Sequence, residues 1–146
     1  MTSKELDCRV FVETDRPLED VARLLAQSCD GHVSGSHRSR TVRTVLGEID
    51  VRLNEESDSR RVVEFPDGFL FFRYALEVYP SPAVAHEERV AFTANMLRAL
   101  WSSGSAAVAV SDYEPELPHR GGYKSPSVPW PSPRFASEKE PVATNR

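Results

Sequence analysis

Five large apolar residues recur at every second position from Leu70 to Val78: Leu70, Phe72, Tyr74, Leu76 and Val78. A period of two is the signature of a β-strand, whose successive side chains point to opposite faces. Phe69, Phe71, Arg73, Ala75, Glu77 and Tyr79 fill the other face, so both sides carry apolar groups. Such a strand belongs in the middle of a sheet, and Pro80 and Pro82 end it. Whatever else the chain contains must supply neighbours for this strand and a layer to cover it.

The flanking segments supply both. Cys8, Val10 and Val12 alternate with Arg9, Phe11 and Glu13, which predicts a first strand. Thr14 or Asp15 can cap a helix in which Pro17 takes the first turn. Leu18, Val21, Ala22, Leu25 and Cys29 then form one apolar stripe, and Gly31 stops the helix. Ile49, Val51 and Leu53 alternate with Glu48, Asp50 and Arg52, a strand with a charged outer face. The segment Ser34–Thr41 reads as a turn or ragged edge, and Glu55–Gly68 as a polar connection ending in Pro66-Asp67-Gly68. A second helix is expected from about Ala83 to Ser102, with Val90, Ala94, Leu97 and Trp101 inward. Ala106–Val110 is a short apolar strand.

The order βαββαβ predicts an α+β domain of ferredoxin-like type, a four-stranded antiparallel sheet with two helices on one face. Residues 1–123 form this domain. Residues 124–146 carry five prolines and read as a tail that is disordered or docked on the surface, with Trp130 and Phe135 as its large anchors.

A hydrophobic content of 40 % suffices for a core, and a formal charge of −4 is wrong for a general phosphate binder. No apolar run is long enough to span a bilayer, and Met1–Asp7 lacks the apolar stretch of a signal peptide, so a cytoplasmic protein is expected. Cys8 and Cys29 are too few for a disulfide framework or a zinc site; both are expected reduced and buried. His32, His37, His86 and His119 form no metal-binding pattern, and no nucleophile elbow or phosphate loop is present. A non-enzymatic protein without cofactor or metal is the expectation.

Binding residues are easier to nominate. In a ferredoxin-like sheet Phe11, Phe69 and Phe71 would lie on the face away from the helices, with Arg73 beside them, and exposed aromatics signify contact. Asp112, Tyr113, Glu114 and Glu116 crowd the end of the last strand and would suit a basic partner. The cluster His37–Arg43 reads as a charged edge that blocks strand-to-strand aggregation.

Two resemblances bear on function. Val10-Phe11-Val12 and Gly68-Phe69-Leu70-Phe71-Phe72-Arg73-Tyr74 resemble the two strand motifs of the RNA-recognition motif, which stacks bases on aromatics at the positions of Phe11, Phe69 and Phe71. Asp67 departs from the Lys or Arg of that motif, Leu70 from its Gly or Ala, and Thr14-Asp15 from its usual Asn-Leu. The segments Leu46–Asn54, Gly68–Val78 and Leu100–Pro118 resemble a family of small bacterial cytosolic proteins, some similar to immunity proteins of polymorphic toxin systems. That resemblance covers roughly residues 8–123 and transfers no functional residues. It implies a protein that binds and blocks a toxin, a partner that could be basic. The alternatives are a homodimer packed through its outer sheet faces, with or without a small ligand, and a single-stranded nucleic-acid binder.

Overall fold

A computed structural model describes residues 5–36, 38–64 and 67–131. Six strands form one antiparallel sheet: β1 (Cys8–Glu13), β2 (His32–Ser34), β3 (Ser39–Arg43), β4 (Gly47–Leu53), β5 (Tyr74–Pro80) and β6 (Ala106–Ser111). Their order is β2-β3-β4-β5-β1-β6. Three helices, α1 (Leu18–Cys29), α2 (Ser59–Glu64) and α3 (His86–Ser102), complete the regular elements of the described residues together with three short 3-10 turns.

The four-stranded, two-helix ferredoxin-like sheet expected from the sequence is therefore incorrect. Two strands, β2 and β3, run into the segment Ser34–Thr41 from either side, where a turn or ragged edge is expected. The hairpin β2–β3 pairs His32 with Arg43, Val33 with Val42 and Ser34 with Thr41, and β3 continues the sheet onto β4. Only Val33 and Val42 alternate as apolar residues there, so periodicity carried almost no signal. The polar connection 55–68 holds the third helix, α2, which buries Val62 and half-buries Val63. Asp58 starts α2, its carboxylate accepting the N–H groups of Arg60 and Arg61 at 3.0 and 3.2 Å.

The central strand is also shorter than its alternation suggests. Gly68–Phe71 is a 3-10 turn, and the ladder begins at Tyr74. The Leu70 and Phe72 N–H groups donate to the Asp67 and Phe69 carbonyls at 3.1 Å each. Asn54 Nδ2 then donates to both the Leu70 and Phe72 carbonyls, at 2.9 and 2.8 Å. Backbone groups satisfied this way have no need of a ladder. A Cβ on Gly68 would collide with the Val62 carbonyl oxygen, so this turn can lie on α2 only through glycine.

From Tyr74 onward the expected faces hold. Val10, Val12, Ile49, Val51, Leu76 and Val78 point to one side, where α1 and α3 cover them in the main core. The α1 stripe is as expected, but Asp30, not Gly31, takes the left-handed position that ends the helix (φ 55°), and its N–H reaches the Ala26 carbonyl. On α3, Ala94 and Leu97 are buried as expected, while Phe92, Met96 and Leu100 widen the stripe and Val90 and Trp101 sit at its margin. β6 is apolar on both faces because both are covered: Ala107 and Ala109 by the helices, Ala106 and Val108 by a second, smaller core.

That second core lies on the opposite side of the sheet. Phe11, Phe72, Ala75, Val62, Ala106 and Val108 make it, with Phe69 and Phe71 packed against it. The chain after β6 returns to the same side. Val128 is buried, and Trp130 meets Phe72 edge-on, ring centroids 5.6 Å apart. Tyr123 meets Phe69 at 5.4 Å, and its hydroxyl donates to Asp67. The beginning of the expected tail is thus docked; Phe135 and the rest of residues 132–146 lie outside the described residues.

Candidate functional site: a groove on the outer sheet face

The α2–Phe71 segment covers only part of the outer face. Beside it runs an open groove of about 470 Å³. Phe11 and Ala75 form the floor, and Leu70 and Phe71 the wall contributed by the 3-10 turn. Arg9, Glu77 and Arg52 close one end, and Asn54, Glu55 and Glu56 lie at the other. Leu70 stands out at the rim, 42 % exposed, whereas Leu53, paired with Tyr74 at the end of β4, turns its side chain to the helix side of the sheet. The exposed Leu70 continues the apolar surface of the groove's aromatic floor and wall, and such a patch suits a contact site.

Charges at the closed end are held in place. Arg9 comes from β1 and Arg52 from β4, on either side of β5. Each gives one Nη2–H to a different oxygen of Glu77, at 3.0 and 2.9 Å. Tyr79 Oη donates to Glu77 Oε1 at 2.9 Å. Burial by itself would raise the Glu77 carboxyl. The hydrogen bonds from Tyr79 and Arg9 and the positive charge of Arg52 outweigh it, and the group stays below the usual carboxylate range.

The nominated residues divide between two places. Phe11 and Phe71 belong to the groove, but Phe11 is only 9 % exposed and serves as its floor. Phe69 faces away from the groove, its ring edge-on to Phe11 at 5.6 Å and to Tyr123. Arg61 lies over the Phe71 ring at 5.4 Å. Arg73 takes no part: its guanidinium covers the Tyr74 ring at 5.1 Å and donates to the Thr14 carbonyl. The three phenylalanines are not a row on adjacent strands. Two of them sit on the 3-10 turn, and the stacking platform of an RNA-recognition motif is not formed.

The acidic cluster lies elsewhere. Phe11 pairs with Val108, and Asp112 is four residues further along, roughly 13 Å at the ordinary strand rise. Glu114 is engaged within the chain, its Oε2 accepting the Ser111 N–H at 3.0 Å. Tyr113 is buried; its hydroxyl donates to Asp7 Oδ2 at 2.6 Å and accepts from Thr93 at 3.0 Å. Glu116 meets His86 at 3.0 Å. Only Asp112 and Glu116 of this group are open to a basic partner.

Tyr113 and the adjacent Cys8 give the fold an alkaline limit. Burial pushes the Cys8 thiol up to about 12, with the charge of Asp7 adding to it. Burial and the bond to Asp7 push the Tyr113 phenol up further. Both groups are raised in the folded state, so their contribution is complete below the unfolded values and fades as pH rises. The urea midpoint is expected to fall from about pH 8 to about pH 11, and Cys8→Ala is expected to flatten that slope. A midpoint constant over this range would contradict the burial of both groups.

Sequence reading missed Arg9, Arg52, Glu77, Asn54 and Leu70. Alternation did place Arg9, Arg52 and Glu77 on outer faces. Which strands are neighbours, and in what register, was not available from it. A second hollow, of about 500 Å³, lies at the sheet end between the start of β1, the β3–β4 turn and the residues after β5; Arg43 and Arg89 there already face Glu48 and Asp7. Cys29 is half-buried and, like Cys8, free. Among the described residues no group of three or more His, Cys, Asp or Glu is placed to hold a metal ion. None of their helices is long and apolar enough to cross a membrane. No family model, curated protein or solved structure matches the chain. The resemblance to immunity proteins therefore rests on the sequence segments alone.

Proposed function

We propose that this chain is a non-enzymatic, partner-binding protein of the immunity type, which neutralises a toxin by docking it on the outer-face groove. The observation that carries this reading is the exposed Leu70 beside the Phe11 floor and the Phe71 wall of the groove. Covering such a surface releases about 25 cal/mol per Å² of apolar area, and rigid aromatic groups are the usual anchors of an interface. A dimer through outer faces finds less support. Part of that face lies under α2 and the Gly68–Phe71 turn, and the β3–β5 part is charged, with Thr41–Asp50, Arg43–Glu48 and Arg52–Glu77 pairs.

Co-expression with a toxin encoded beside this chain tests the proposal. The wild-type chain is expected to restore growth, and Leu70→Asp to abolish the rescue while thermal stability stays within about 0.5 kcal/mol, as for an exposed site. A Leu70→Asp chain that rescues as well as wild type would remove the groove from the interface. If none of the adjacent toxins is neutralised, the immunity reading fails.

A further inference from the structure

We propose that the groove receives an amphipathic peptide segment of the partner, whose apolar side chain lies on Phe11 and Phe71 and whose neighbouring carboxylate is bound by Arg9 and Arg52. This rests on the partner-binding reading and adds the chemistry of what is bound. Two guanidinium groups share the single carboxylate of Glu77, so the trio carries a net charge of about +1. An arginine head has about five N–H donors in one plane. Each of these two spends one on Glu77, and their side chains remain 44 % and 49 % exposed. The unspent donors are fixed in position by strands on both sides of β5, which removes much of the entropy cost of ordering them around an anion.

Other carboxylates do not cancel this end of the groove. Asp50, the next acidic residue on the outer face, accepts the Thr41 hydroxyl at 3.1 Å and does not line the groove. Glu55 and Glu56 lie at the opposite mouth and are exposed. An anion is repelled there and attracted at the arginine pair, so the electrostatics give the bound segment a direction. Leu70 extends the apolar surface beyond the hollow itself, which suits a peptide better than a small amphiphile.

Selection of short random peptides displayed on phage against the full chain tests this. Enriched peptides are expected to pair a bulky apolar residue with Asp, Glu or a free C-terminus. A selected peptide, measured by fluorescence polarisation, is expected to lose about tenfold or more in affinity to the Arg9→Gln/Arg52→Gln chain, the loss expected of a charge-assisted contact. Leu70→Ser is expected to weaken the same peptide, and Arg23→Gln on α1 to leave it unchanged. Peptides without acidic preference, affinity unaltered by the arginine changes, or no enrichment at all would each overturn the proposal. So would tight binding of decanoate in place of any peptide. Toxin rescue without acidic selection sinks this inference alone; acidic selection without rescue sinks the immunity reading and leaves the groove chemistry standing.

Discussion

Phe72→Ala is expected to cost about 3–5 kcal/mol in urea unfolding, the range for emptying a fully buried phenylalanine site. Phe72 has no exposed surface and stands at the junction of three features. Its N–H closes the 3-10 turn on Phe69, its carbonyl accepts Asn54, and its ring meets Trp130. Removing the ring leaves a cavity under the segment that walls the groove. Peptide binding or toxin rescue is expected to fall with stability. Trp130 provides an independent readout, because its emission should shift to the red when its apolar neighbour is lost. A Phe72→Ala chain less than about 1 kcal/mol weaker than wild type would mean that the second core does not hold this segment in place.

Gly122→Ala is expected to be nearly as damaging, at about 3 kcal/mol or more, because it combines a strained backbone with a collision. Gly122 has φ of 95°, and a Cβ there would lie 2.5 Å from the Ala107 carbonyl oxygen and 2.9 Å from the Trp101 ring. His119, Arg120 and Gly121 before it also have positive φ, a left-handed run that non-glycine residues adopt only at a cost. The run has a visible purpose. Gly121 and Gly122 press the backbone against Ala109 and Ala107 of β6, and Trp101 Nε1 donates to the Ala107 carbonyl at 3.1 Å. Together they seal the strand at one end of the sheet, and an unsealed edge invites pairing with another chain. Light scattering is therefore expected to report self-association of Gly122→Ala near its unfolding transition. A variant as stable and as monodisperse as wild type would show that the close approach at Ala107 is not needed.

The same glycines show why part of the fold could be read from residues and part could not. β1, β4 and α1 each bury several residues on one face, so each carries its own period, and β6 shows itself as an unbroken apolar run. β2 and β3 bury Val42 alone. α2 offers the adjacent pair Val62 and Val63 to the second core, and two neighbouring residues make no period to detect. The stretch Leu70–Tyr74 misled in the opposite sense: it alternates like a strand, yet Asn54, sixteen residues before Leu70, supplies the hydrogen bonds that a ladder would have supplied. No local pattern reports such a distant partner.

For the candidate site, the residue types were right more often than their roles. Phe11, Phe69 and Phe71 do gather, but they gather in the second core with Tyr123 against Phe69, and exposure passes to Leu70. The run Asp112–Glu116 looked like a charged surface and is half architecture, with Tyr113 buried and Glu114 bound to the Ser111 N–H. The arginine pair was invisible because it depends on β1, β5 and β4 lying side by side, with Arg9 opposite Glu77 and Arg52 opposite Ala75. The acidic run at the end of β6 suggests a basic partner, whereas one end of the groove presents the arginine pair and its other mouth Glu55 and Glu56.

Hydrogen exchange of the full chain, with and without the toxin encoded beside it, tests the outer-face groove most directly. Added protection is expected at Leu53–Glu56 and Leu70–Phe71 and along β1 and β5, with Asp112–Glu116 and the exposed faces of α1 and α3 unchanged. Protection confined to the Asp112–Glu116 end or to the helices, with Leu70 and Phe71 exchanging as before, would contradict it.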